Sequence, residues 1–74
     1  MSDEAEELAD RLAALSEELA DLAIDRLRRA ADEARAQGSP DPVLVAEEKR
    51  LTRARRAVDK AVALLRSAPA EGGG

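Results

Sequence analysis

The stretch KRLTRARRAVDK, from Lys49 to Lys60, places six basic residues in twelve positions of a chain whose formal net charge is −4. Four of these residues are spaced by four, three and four positions, which aligns them along one face of a helix. At 1.5 Å per residue such a ridge presents cations over about 16 Å and could follow a phosphate backbone. The basic ridge consists of Lys49, Arg53, Arg56 and Lys60.

Composition argues against nucleic acid as the partner of the basic ridge. The chain has no aromatic residue on which a base could stack, its total charge is acidic, and it contains no recognisable nucleic-acid-binding motif. Helical rotation also places the ridge opposite a seam formed by Leu44, Leu51, Val58 and Leu65. The sequence therefore favours solvent or an unidentified protein partner for this face, and a nucleic-acid-associated regulator is the alternative.

The remaining polar residues lack the partners that catalysis would need. Glu17, Asp21 and Asp25 recur at helical spacing, but helical carboxylate metal sites also use histidine, and the chain contains neither histidine nor cysteine. Ser16 and Thr52 have no imidazole base to activate a hydroxyl nucleophile. The sequence predicts a non-enzymatic protein without a metal, cofactor or catalytic site, and it assigns the acids to a solvated helix face.

Two helices must position these side chains. No glycine or proline interrupts residues 3–37, and Asp3 with Glu6 has the spacing of a capping box. The segment QGSPDP then ends the helix, with Gly38 at its C-terminus and Asp41 capping the next helix. The pattern predicts an all-α, antiparallel helical hairpin.

The predicted bounds follow from these signals. The first helix covers about residues 3–37, the turn covers 38–41, and the second helix covers about 42–67. We expect residues 1–68 to form a single domain and residues 69–74, which end in EGGG, to form a flexible tail.

Both predicted helices carry apolar arcs wider than one neighbouring helix can cover. One neighbour needs about 100°, whereas the arcs span roughly 200° on the first helix and roughly 160° on the second. The pattern predicts that two hairpins pack with coiled-coil-like contacts into an antiparallel four-helix bundle, a homodimer. The predicted core and dimer residues are Leu8, Leu12, Leu15, Leu19, Leu22, Ile24, Leu27, Leu44, Leu51, Val58, Val62, Leu64 and Leu65.

Length and polarity refine this expectation. The predicted helices are about 52 Å and about 39 Å long, so residues 3 to about 12 would extend beyond the second helix without an intrachain partner. On the first helix Leu8, Leu15 and Leu22 set a seam, and toward the turn Arg26 and Glu33 replace leucine on it. An unpaired charge is costly in an apolar seam, so we expect the third of the bundle nearest the turn either to be wetter and looser or to hold Arg26 with Glu33 or Glu47 across the bundle.

These features predict a small interaction or regulatory module that acts as a homodimer. A chain that forms one half of an obligate heterocomplex is a further alternative. The first residues lack the basic and apolar regions of a secretory signal, and no run approaches the roughly 18 apolar residues of a membrane span, so we expect a cytoplasmic protein. The excess of arginine and alanine is typical of a bacterium with GC-rich DNA.

Overall fold

The computed structural model describes residues 3–67, which form two helices packed against each other. Helix α1 comprises Glu4–Gln37 and helix α2 comprises Pro42–Arg66. The two helices are antiparallel, because residues near the start of α1 contact residues near the end of α2. The ion pair between Asp10 and Arg66 is one such contact. The predicted all-α hairpin is confirmed, and the helix ends lie within one residue of those expected. The predicted tail, residues 69–74, lies outside the described residues.

The turn between the helices uses the two signals expected from the sequence. Gly38 has φ = 90°, a left-handed conformation that glycine adopts without strain, and its N–H donates to the carbonyl of Ala34 over 2.8 Å. The Asp41 carboxylate accepts a hydrogen bond of 2.8 Å from the Val43 N–H, with Pro42 in the first turn. These two ends fix where the chain reverses.

The start of α1 differs from the expected capping box. Asp3 has φ = −108° and ψ = 31°, outside the extended region from which a side chain normally caps, and its carboxylate makes no capping hydrogen bond. Its carbonyl instead accepts the Glu7 N–H over 2.8 Å. The prediction of a side-chain cap at Asp3 is therefore wrong, although acids in the first turn still suit the helix dipole.

Small residues form the surface through which α1 packs on α2. Four of them recur every seven positions and are between 0% and 7% exposed, and we call them the small-residue line: Ala9, Ser16, Ala23 and Ala30. On α2 the buried residue is Val62, at 9%. Within residues 3–67 no large side chain is fully enclosed. Small side chains let two helices approach closely, but they bury little apolar area per residue.

Three polar contacts show how far along α1 each part of α2 lies. Ser16 meets Asp59, Arg26 meets Glu47, and Arg66 reaches Asp10 at 2.6 Å. The first residue of α2 therefore lies beside about residue 33 of α1, roughly one turn before α1 ends. The last turn of α2 lies beside Ala9. The prediction that residues up to about 12 lack an intrachain partner is thus wrong for residues 9–12, because the turn returns the chain earlier than assumed.

Candidate interaction surfaces

One side of the hairpin carries an open groove between the helices. The groove has a volume of about 580 Å³, and its apolar walls are Leu15, Leu19 and Leu22 of α1 and Val58 of α2. Three acidic residues of α1 also line it: Glu18, Asp21 and Asp25. A groove with leucine walls and an acidic edge is suited to an apolar partner surface that carries basic residues at its margin.

A second groove of about 360 Å³ continues the first toward the turn. Leu22 lines both grooves, and Leu51 and Ala54 supply the apolar wall on α2. Arg50 stands at its edge, and Arg26 and Glu47 also line it. The two grooves make one continuous surface, which we call the apolar face. Its edge is acidic on α1 and carries Arg50 on α2.

Several large apolar side chains on and near the apolar face are exposed in the single chain. Leu8 is 49% exposed, Leu15 is 50% and Leu22 is 41%. On α2, Val43 and Leu64 are 64% and 68% exposed, and both lie a multiple of seven residues from Arg50. These five large apolar side chains therefore point outward, whereas alanine and serine occupy the centre of the contact between the helices.

The predicted core residues thus separate into two groups. Half-buried or buried beside the neighbouring helix are Leu12, Leu19, Leu44, Leu51, Val58, Val62 and Leu65. Exposed are Leu8, Leu15, Leu22, Ile24, Leu27 and Leu64. Ile24 lies seven residues from Glu17, which is on the flank away from the apolar face, and neither Ile24 nor Leu27 lines the apolar face. A single hairpin therefore leaves six of the thirteen predicted core residues exposed.

The flank away from the apolar face is held by polar contacts. The Ser16 hydroxyl donates to Oδ1 of Asp59 over 2.5 Å, and Arg55 Nε lies 3.7 Å from the other oxygen of that carboxylate. Arg66 pairs with Asp10 and lies 4.0 Å from Glu6. The sequence interpretation missed the role of Ser16, although its place in the seven-residue spacing of Ala9, Ala23 and Ala30 was a signal that it faces α2.

Near the turn, a charged pair stands where leucine occupies the seam elsewhere. Arg26 Nε donates to Oε1 of Glu47 over 3.0 Å, and its guanidinium also contacts the neighbouring Asp25. Only 20% of the Arg26 side chain is exposed. The expectation that Arg26 pairs with Glu47 across the hairpin is confirmed, and the ion pair replaces apolar packing at this level.

The four residues of the basic ridge lie in solvent on the outer side of α2. Between residues 3 and 67 none of the four has an ion-pair partner, and Asp59, three residues from Arg56, bonds to Ser16 and Arg55 instead. The neighbouring Glu48 accepts a hydrogen bond of 2.7 Å from Thr52. The ridge is therefore an uncompensated strip of positive charge.

Charge is divided unequally between the helices. Helix α1 contains ten acidic and five basic residues, and α2 contains three acidic and seven basic residues, so their formal charges are −5 and +4. The acids of α2 are Glu47, Glu48 and Asp59, and each is engaged in a hydrogen bond or an ion pair. The hairpin therefore has an acidic helix and a basic helix side by side.

Comparison of the chain with models of protein families, with curated proteins and with solved structures finds no match. Within residues 3–67, no three carboxylates gather into a group that could hold a metal ion. Neither described helix combines the length and apolar character needed to cross a membrane.

Proposed function

We propose that this chain is a non-enzymatic interaction or regulatory module that acts as a homodimeric four-helix bundle joined through the apolar face. The observation that carries the proposal is the outward placement of Leu15 and Leu22, which line the continuous grooves and are 50% and 41% exposed, with Leu8, seven residues before Leu15, 49% exposed. Contiguous exposed apolar surface of this kind marks sites of association in water-soluble proteins. Covering it adds the burial that the small-residue line lacks.

A second copy of the chain suits this face because the face is self-complementary. Its α1 edge carries Glu18, Asp21 and Asp25, and its α2 edge carries Arg50. A two-fold dimer uses the same surface on both chains, so a face that holds both signs of charge can satisfy itself. Among bundles made of whole hairpins, two hairpins are the smallest number that gives every helix two neighbours.

The test compares two leucines of equal exposure on opposite flanks. Leu15 borders the grooves and Leu27 does not, and each is 50% exposed. The unmodified chain should show twice its 7.9 kDa mass in light scattering at micromolar concentration. Leu15→Glu should weaken the dimer at least about tenfold, since a carboxylate in an apolar contact loses its hydration, while Leu27→Glu should leave the mass unchanged. A monomeric, fully folded parent chain would contradict the proposal.

The basic ridge supports a second candidate, a nucleic-acid-associated regulator. Its four cations are exposed and unpaired within residues 3–67, and the dimer proposed above would leave them on its outer surface. Binding to duplex DNA would weaken steeply with salt, with a logarithmic slope of about −0.9 for each phosphate contacted. A titration with labelled duplex at several salt concentrations tests this candidate, and Arg53→Glu with Arg56→Glu should abolish any such binding.

An obligate heterocomplex would give a different result in the same preparations. A chain that needs another protein to cover its leucines should be poorly helical when purified alone, because the small-residue line buries little apolar surface. Circular dichroism separates the two proposals. The homodimer should be about four-fifths helical at micromolar concentration, in line with the two helices of residues 4–37 and 42–66.

A further inference from the structure

Two hairpins can bring the same face together with two-fold symmetry in two ways. If the axis runs along the helices, both turns lie at the same end and α1 of each chain lies beside α2 of the other. If the axis runs across the helices, the turns lie at opposite ends and each helix lies beside its own copy. Both arrangements give antiparallel neighbours throughout, so helix direction does not distinguish them.

Charge distinguishes the two arrangements. The opposite-end arrangement places α1, with a formal charge of −5, beside the partner's α1, and α2, with +4, beside the partner's α2. It would bring two copies of the acidic edge, formed by Glu18, Asp21 and Asp25, toward each other across the grooves. The same-end arrangement places every acidic helix between two basic helices. Like charges brought together cost free energy, and unlike charges at the margin of an interface fix its orientation.

From this division of charge we propose that the two chains associate with their turns at the same end, so that α1 of each packs against the partner's α2. The inference rests on the dimer proposed above and specifies its geometry. Rotation about an axis along the helices keeps every residue at its own height. Since Arg26 is level with Glu47, Asp25 of one chain stands within about one turn of the partner's Arg50.

Both members of this intermolecular pair are available for it. Arg50 is exposed at the edge of the second groove and has no ion-pair partner within residues 3–67. Asp25 contacts Arg26 and lies 3.3 Å from Arg29 in its own chain, both through Oδ2, yet 45% of its side chain remains exposed and it lines the first groove. The two-fold axis generates this contact twice.

Distances between the turns test the arrangement directly. The chain contains no cysteine, so Ser39→Cys, in the turn, supplies one spin-label site per chain. Neighbouring helices lie about 8–10 Å apart, so two labels at the same end should be separated by less than about 30 Å. Labels at opposite ends would be separated by about the length of α1, which is about 51 Å for 34 residues.

A second label site gives a distance that is long in one arrangement and short in the other, the reverse of the distance between the two Ser39 labels. Arg11 is exposed near the other end of α1, and 28 positions separate it from Ser39, a rise of about 42 Å if wholly helical. Mixing chains labelled at Arg11→Cys with chains labelled at Ser39→Cys should give a long distance in the same-end dimer and a short one in the opposite-end dimer. A dimer with a long distance between the two Ser39 labels overturns this inference alone. If the spin labels show no coupling between chains because the protein is monomeric, the proposed dimer is overturned as well.

Charge reversal at Arg50 should change the dissociation constant of the dimer in opposite directions for the two arrangements. In the same-end dimer Arg50→Glu places a carboxylate beside the partner's acidic α1, and we expect the dissociation constant to rise about tenfold at low salt. In the opposite-end dimer the same change would reduce repulsion between the two α2 helices and tighten the dimer. Arg53→Glu, an equally large change on the outer side of α2, is the matched control and should alter the constant much less. A tighter or unaltered Arg50→Glu dimer contradicts the inference.

Discussion

The hydroxyl of Ser16 lies 2.5 Å from Oδ1 of Asp59, and this hydrogen bond joins α1 to α2 across 43 positions of sequence. Ser16 is only 5% exposed and stands in a line otherwise made of alanine. The Asp59 side chain is 52% exposed and also meets Arg55. A hydroxyl buried between two helices thus has its partner at the edge of the interface, where water can still reach the carboxylate.

Ser16 and Asp59 should be energetically coupled. We expect a double-mutant cycle with Ser16→Ala and Asp59→Ala to give a coupling free energy of about 0.5 to 1.5 kcal/mol, the usual range for an intramolecular hydrogen bond, because water at the half-exposed Asp59 carboxylate weakens the charge-assisted bond. The cycle cancels the higher helix propensity of alanine. Urea unfolding of the four proteins measures it, and additive effects would mean that the bond contributes nothing in solution.

Enlarging a residue of the small-residue line should separate the helices. Ala23 is 7% exposed, and leucine there would need space that the close approach of the helices does not leave. We expect Ala23→Leu to lower the free energy of unfolding by about 1 to 3 kcal/mol. Ala14→Leu, on the exposed side of the same helix, changes composition identically and should change stability by less than about 0.5 kcal/mol. Equal effects in thermal melts would refute the placement of this line.

The two helix caps should differ in strength. The Asp41 carboxylate accepts the Val43 N–H over 2.8 Å, whereas Asp3 makes no such bond. Asp41→Ala should therefore destabilise the protein by about 1 kcal/mol, and Asp3→Ala by a few tenths of that amount through the helix dipole alone. Chemical unfolding in moderate salt compares them. A larger cost at Asp3 would show that its side chain caps α1 in solution.

Replacing the charged pair near the turn by apolar packing should not harm stability. Arg26→Leu removes the contacts with Glu47 and Asp25 but extends the leucine seam, and the Glu47 side chain remains 35% exposed to water. We expect neutral or higher thermal stability together with a broader distribution of oligomers, because polar seam residues set register and partner number.

Arg35→Leu provides the comparison for Arg26→Leu. Arg35 pairs with Asp32 at 2.5 Å on the surface, where 75% of its side chain is exposed. Its loss should change neither the melting temperature nor the mass distribution by much. Unfolding of the Arg26→Leu protein would show instead that the ion pair is essential to the hairpin.

The helix ends were predictable because their signals are local. Gly38 and Asp41 each act on backbone groups within four residues, so the sequence alone places the turn. Asp3 has the same residue type as Asp41 but a different backbone conformation, and residue type does not determine φ and ψ at a chain end. The sequence did not predict how far along α1 the second helix lies, for a related reason. It depends on the path of the turn, which helical periodicity does not describe.

The sequence predicts that α1 packs against α2, but it does not predict which residues of α1 make the contact. The apolar arc spans both the leucine rows and the alanine rows, and hydrophobicity ranks leucine as the natural core. In the structure the alanines and Ser16 occupy the centre of the contact, Leu12 and Leu19 lie half-buried beside it, and Leu15 is exposed. Closest approach between the helices selects small side chains, and a pattern of apolar residues does not encode that preference.

The small-residue line has a consequence for mutational scanning. Three of its four members, Ala9, Ala23 and Ala30, are already alanine, so an alanine scan leaves the centre of the helix contact untouched. Such a scan would register the leucines and the charged pairs and would assign the stability of the hairpin to them. Apart from Ser16, whose hydrogen bond an alanine would remove, the line responds only to substitutions that add volume. A library of random variants should therefore show depletion of large residues at Ala9, Ser16, Ala23 and Ala30.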